Sequence, residues 1–137
     1  MKHSLFIIAI LYSVVSFAQT KHTASLQPLP NLAFKILRDS CTQLDIVFTA
    51  GVGSSMSVEG RNVNMFSTFV DNIVLSKKID AEKQGFIMWQ RNGREFITGD
   101  IYLTTDTSGY LHFKYGGNDY FNQLSTQGAT FLRRQRK

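Results

Sequence analysis

Only a few side chains in this sequence have the type and spacing to do chemistry. Cys41 is the single thiol, and the histidines are His3, His22 and His112. A thiol beside an imidazole can act as nucleophile and base once a fold brings the two together. Asp100 is a second group that could serve His112, so the hydrolase that this chain could form would use His112 with Cys41 or Asp100. Sequence alone places neither pair in contact, and no catalytic residue is assigned. His22 and His112 have no cysteine or carboxylate at ligand spacing, so they form no metal motif and imply no cofactor.

Two short stretches resemble active-site loops and fail on their spacing. GVGSS at Gly51–Ser55 follows the alternating run QLDIVFTA, as a phosphate-binding loop follows a strand. Such a loop must feed directly into a helix, whose first amides hold the anion. Here a second alternating run follows, with Met56 and Val58 between Ser55, Ser57 and Glu59, so the glycines make a turn between two strands. DTSG at Asp106–Gly109 carries one residue more than the Asp-Thr/Ser-Gly of aspartic proteases. It also occurs once, where that chemistry takes two carboxylates, so it reads as a polar hairpin turn.

The positive candidate is a set of aromatic side chains. Asn92-Gly93 is a strong type I′ turn signal, and a two-residue turn there pairs Arg91 with Arg94, Trp89 with Phe96, Met88 with Ile97 and Phe86 with Gly99. An odd-length loop through TDTSG then pairs Leu103 with Leu111, Ile101 with Phe113 and Gly99 with Tyr115, matching apolar faces where an even loop would mix them. It also sets Asp100 opposite Lys114 and Tyr102 opposite His112. Gly99 would lie between the rings of Phe86 and Tyr115, which compensate its missing side chain. One face of this meander is apolar. The other carries Trp89, Phe96, Tyr102, Tyr110 and His112, flat rings beside hydrogen-bonding groups that suit a protein, peptide or glycan ligand. A covering layer of helix or strands would instead make it an internal face.

The elements that must position these residues give a mainly β fold: an antiparallel sheet, a meander from about residue 85 to the C-terminus, paired or folded over one core. The alternative is an α+β two-layer sandwich. Leu44, Ile46 and Phe48 alternate with polar residues as a half-buried strand, and Leu32–Arg38 reads as a further short strand. Val63, Phe66, Val70, Ile73 and Val74 recur at helical steps and predict one amphipathic helix over residues 62–76. GGND turns the chain again, and Phe121, Leu124 and ATFL supply one or two last strands.

The N-terminus reads as a secretory signal peptide over residues 1–18. Lys2 and His3 precede the apolar stretch Leu5–Phe17, and Ser16 and Ala18 are the small residues of a cleavage site before Gln19. The stretch is shorter than the roughly 20 residues a bilayer core requires. A polar, Pro-punctuated lead-in follows over 19–31, then a single domain over 32–137. One cysteine makes no internal disulfide, so the core must hold the fold; Cys41 reads as a small buried side chain, or as one half of an intermolecular bridge.

Charge points away from specific nucleic-acid binding. The chain has 15 Lys and Arg against 10 Asp and Glu. Lys2 falls in the leader, and Arg133, Arg134, Arg136 and Lys137 crowd the C-terminus, so the remaining basic side chains balance the acidic ones. Nucleic-acid binders spread basic residues along a face or groove. Here there is a basic tail, solvated or in weak contact with an anionic surface. The composite expectation is an exported, non-enzymatic binding or interaction protein, secreted or periplasmic. The alternatives are the small secreted hydrolase above and a structural component of an envelope assembly.

Overall fold

The computed structural model describes residues 26–75 and 79–136. The predicted signal peptide and Lys137 lie outside these residues, as does the lead-in up to residue 25. Ten elements follow one another: α1 (Asn31–Asp39), β1 (Gln43–Phe48), β2 (Ser54–Glu59), α2 (Arg61–Ser67), β3 (Val70–Asp71), β4 (Glu82–Arg91), β5 (Arg94–Leu103), β6 (Gly109–Tyr115), β7 (Asn118–Leu124) and α3 (Thr126–Gln135). The strands form one curled antiparallel sheet in the order β2-β1-β4-β5-β6-β7-β3. The fold is mainly β with a meander from β4 to β7, as the alternation predicts.

One core fills the inside of the curl. Leu44, Ile46 and Phe48 of β1, Ile87 and Trp89 of β4, Ile97, Ile101 and Leu103 of β5, and Leu111 and Phe113 of β6 all point inward. All three helices pack on this side, through Leu37, through Val63 and Phe66, and through Ala129 and Leu132. Phe66 is the hinge pin of the packing. Its ring lies 5.5 Å from that of Phe69, 5.8 Å from Phe131 and 6.2 Å from Trp89, and Trp89 in turn lies 5.8 Å from Phe113.

The turns follow their glycines. Gly51 (φ 78°) and Gly53 (φ 74°) connect β1 to β2, and Asn92 (φ 53°) and Gly93 (φ 69°) make the tight β4–β5 turn that pairs Arg91 with Arg94. These are left-handed conformations that glycine and asparagine adopt most readily.

Four expectations are corrected. Leu32–Arg38 is not a strand but most of α1: an apolar run this short fits either period, and the burial of Ala33 and Leu37, four apart, shows which one the fold uses. ATFL lies in α3, not in a strand. Ser125 caps that helix by accepting a hydrogen bond from the Gly128 amide at 3.1 Å, the usual role of serine at a helix start. The helix expected over 62–76 ends at Ser67; the chain then extends, and Val70 and Asp71 pair with Leu124 and Gln123 of β7. Val70 is buried from that strand, while Ile73 and Val74 lie beyond the helix and are exposed. The β-branched residues of this stretch outweigh its helical spacing.

The fourth correction is in register. Gln90 pairs with Glu95 but Trp89 pairs with Ile97, so Phe96 is an extra residue, a β-bulge. From Trp89 to Gly85 every pair moves by one: Met88 faces Thr98, Ile87 faces Gly99 and Phe86 faces Asp100. A second irregularity at Gln84 restores the expected register at Lys83 and Glu82, which face Tyr102 and Leu103. The side chains of Phe86, Ile87, Met88 and Trp89 therefore exchange faces relative to expectation, since strand neighbours point to opposite sides. The β5–β6 loop has odd length, as the faces require, but the pairing is two residues tighter: Gly99 faces Phe113, Ile101 faces Leu111, Tyr102 faces Tyr110 and Leu103 faces Gly109.

Candidate functional site

Trp89 leaves the aromatic face. The bulge turns it into the core, where it has no exposed surface, while Phe86 and Met88 move out. Phe96, at the bulge itself, is half-buried with its ring 6.2 Å from that of Tyr115. Tyr102, Tyr110 and His112 keep the outer face, because the β5–β6 parity that placed them there is unchanged.

These three form an ordered array with a fourth ring that sequence reasoning left out. Tyr102 and Tyr110 are opposite residues of β5 and β6, and their rings stack 4.8 Å apart at 5°. His112 and Phe121 are opposite residues of β6 and β7, stacked 4.7 Å apart at 11°. The two stacks meet through Tyr110 and Phe121, whose rings are 6.0 Å apart and tilted. Phe121 could be found only by fixing the register of the Gly116-Gly117 turn, which pairs Tyr115 with Asn118.

Charged groups rim the array. His112 Nε2 lies 2.7 Å from Asp119 Oδ1, and Lys83 Nζ lies 2.9 Å from Asp100 Oδ1. Asp100 faces His112 across the strands in place of the expected Lys114. Tyr102, His112 and Phe121 are part-open, whereas Tyr110 is buried. Ile79, Asp80 and Ala81 close one end of the array, lining a hollow of about 280 Å³ with Tyr102 and Tyr110. Burial, with Tyr102 and Asp80 adding to it, raises the Tyr110 hydroxyl above the ordinary tyrosine value.

The candidate nucleophile lies on the other side of the sheet. Cys41 is buried in the core, and burial pushes its thiol up to about 11, which keeps it protonated. His112 points outward, so the thiol and the imidazole are separated by the sheet. Among the described residues no group of three or more His, Cys, Asp or Glu side chains could hold a metal ion.

Arg133 and Arg134 lie in the last turn of α3, and Arg136 caps its end. Arg133 Nη2 donates to the carbonyls of Thr104 at 2.7 Å and Ser108 at 3.1 Å, clasping the β5–β6 hairpin. Arg136 Nη1 donates to Gln84 Oε1 at 2.6 Å. In that hairpin Asp106 accepts from the hydroxyls of Thr104 and Ser108 and from the Ser108 amide. Those bonds hold its carboxyl down at about 2. DTSG is thus a hydrogen-bonded turn.

No family model, curated protein or solved structure matches this chain.

Proposed function

We propose that the chain is an exported, non-enzymatic binding protein, secreted or periplasmic, that takes a protein, peptide or glycan on the outer face of its sheet. The observation that carries this reading is the pair of parallel ring stacks on the face opposite the helices, with Tyr102, His112 and Phe121 part-open. Flat rings take the apolar faces of sugars or side chains, and the acidic and basic rim supplies orienting hydrogen bonds. Large aromatic side chains carry most of the energy of such contacts.

Export rests on the leader-like residues 1–18 and their small-residue cleavage site. Among the described residues no helix is long and apolar enough to cross a membrane. Intact mass of the secreted or periplasmic protein should begin at Gln19; recovery of intact Met1 in the membrane fraction overturns this part. For binding, the purified protein is applied to glycan and peptide arrays beside Tyr102→Ala and Phe121→Ala, with circular dichroism confirming the fold. Each variant should bind its best array ligand at least about tenfold more weakly. Equal binding by folded variants overturns the site.

A further inference from the structure

A second recess lies at the end of the sheet, and it is built differently from the aromatic face. It encloses about 710 Å³ between the segment Asp80–Glu82, the β5–β6 hairpin and α3, within the size range of small-ligand sites. Asp80, Glu82, Thr104, Thr105, Arg133 and Arg136 line it. Two carboxylates and two guanidiniums therefore share one cleft. Among the described residues the ion pairs are Arg38–Asp39, Lys83–Asp100 and His112–Asp119, none of which joins a carboxylate of the cleft to one of its guanidiniums.

Neutral acceptors hold the two guanidiniums in place. Arg133 is fixed by the carbonyls of Thr104 and Ser108, and Arg136 by the side chain of Gln84, which is itself only 4% exposed. A neutral acceptor orients an arginine without cancelling its charge, and each guanidinium has five donors. The cleft thus presents two oriented guanidiniums and two exposed carboxylates in one lining, with Thr104 and Thr105 beside them.

We propose that this cleft binds a short zwitterionic peptide, its carboxylate on Arg133 and Arg136 and its ammonium on Asp80 and Glu82. Charge selects this ligand against the alternatives. A polyphosphate would meet the guanidiniums but be repelled by both carboxylates, and a neutral sugar would leave all four charges without a counterpart. Bidentate arginine–carboxylate geometry is the strongest contact available to such a ligand, while Ala81 and Leu103 offer apolar surface to a side chain.

The test titrates trialanine into the full protein by calorimetry, beside N-acetyl-trialanine amide, which lacks both charges. Trialanine should bind and the capped peptide should bind at least about tenfold more weakly, as expected for losing hydrogen bonds between charged groups. Arg136→Gln and Glu82→Gln, which leave the Arg133 clasp intact, should each weaken trialanine by about tenfold or more. Lys114→Ala should leave it unchanged, because Lys114 is exposed on β6 and does not line this cleft. The site is refuted by equal binding of free and capped peptide. It is refuted equally by no heat of binding at millimolar trialanine. Should either variant fail to fold, the wild-type comparison of the two peptides still decides.

Discussion

Replacing Gly99 by alanine tests the register and the core together. A Cβ built at Gly99 would stand 2.5 Å from Cε1 and 2.9 Å from Cδ1 of Phe113. Ordinary carbon contacts are about 3.5–4.0 Å, so the ring would have to retreat by about 1 Å. It has nowhere to go: Phe113 is fully buried, with the Trp89 ring 5.8 Å away. Overpacking of this kind costs about 1–3 kcal/mol. Loss of the glycine's unfolded-state freedom returns up to about 1 kcal/mol. The net expectation is a destabilisation of about 1–2 kcal/mol, a fall in Tm of roughly 4–10 °C for a domain of this size. Thermal and urea unfolding of Gly99→Ala, of Phe113→Leu and of the double variant supply the measurement. Phe113→Leu removes the obstructing ring atoms, so the double variant should lose about 1 kcal/mol less than the two singles summed. A Gly99→Ala midpoint equal to wild type, or strict additivity, would refute the pairing of Gly99 with Phe113.

Three further outcomes are expected. Asn122→Ala removes a buried amide that accepts from the Leu29 amide at 2.9 Å and donates to Asp71 O and Asn72 Oδ1, each at 3.0 Å. It should cost about 2–4 kcal/mol and speed hydrogen exchange at Leu29, with unchanged exchange there counting against the bond. The Cys41 thiol is raised from 9.0 to about 11, so its contribution to stability is full below pH 9 and declines as pH rises toward 11. The stability difference between wild type and Cys41→Ala should therefore be flat below pH 9 and shrink above it; a flat difference throughout would contradict the burial. Trp89 is the only tryptophan and is fully buried, so iodide should barely quench its fluorescence, and quenching like that of free indole would place it outside the core.

What the sequence made legible were features encoded by one or two residues. Asn92-Gly93 announces its turn because few other residues accept positive φ, and Gly51 and Gly53 do the same between β1 and β2. The β5–β6 parity was legible because an even loop would mix faces, and with it the outward placement of Tyr102, Tyr110 and His112. An aromatic ring does cover Gly99, but it is Phe113 rather than Phe86 or Tyr115. The bulge at Phe96 was not legible, since both pairings preserve Arg91 opposite Arg94 and both alternate apolar and polar residues. That one residue decides whether Trp89 or Met88 is core. Leu32–Arg38 and ATFL are too short for their period to separate helix from strand; Ser125, a good cap three residues before Gly128, was the available signal for α3. The Arg133 clasp on Thr104 and Ser108 carbonyls joins residues with no spacing rule between them.

The position of Asn122 sets an order of events for a chain made from its N-terminus. Its amide meets Leu29 across 93 positions, and among the described residues β3 has β7 as its only strand partner. Until β4 is present, β1 and β2 are a lone hairpin, a unit of marginal stability in water. A chain stopped before Asn118 can align β2-β1-β4-β5-β6, yet it has no strand to receive β3 and no α3 to seat against Phe66. Contacts so distant along the chain are slow to form. The sheet therefore stays unclosed until β7 and α3 are present, and these two elements convert an open ribbon into a closed domain.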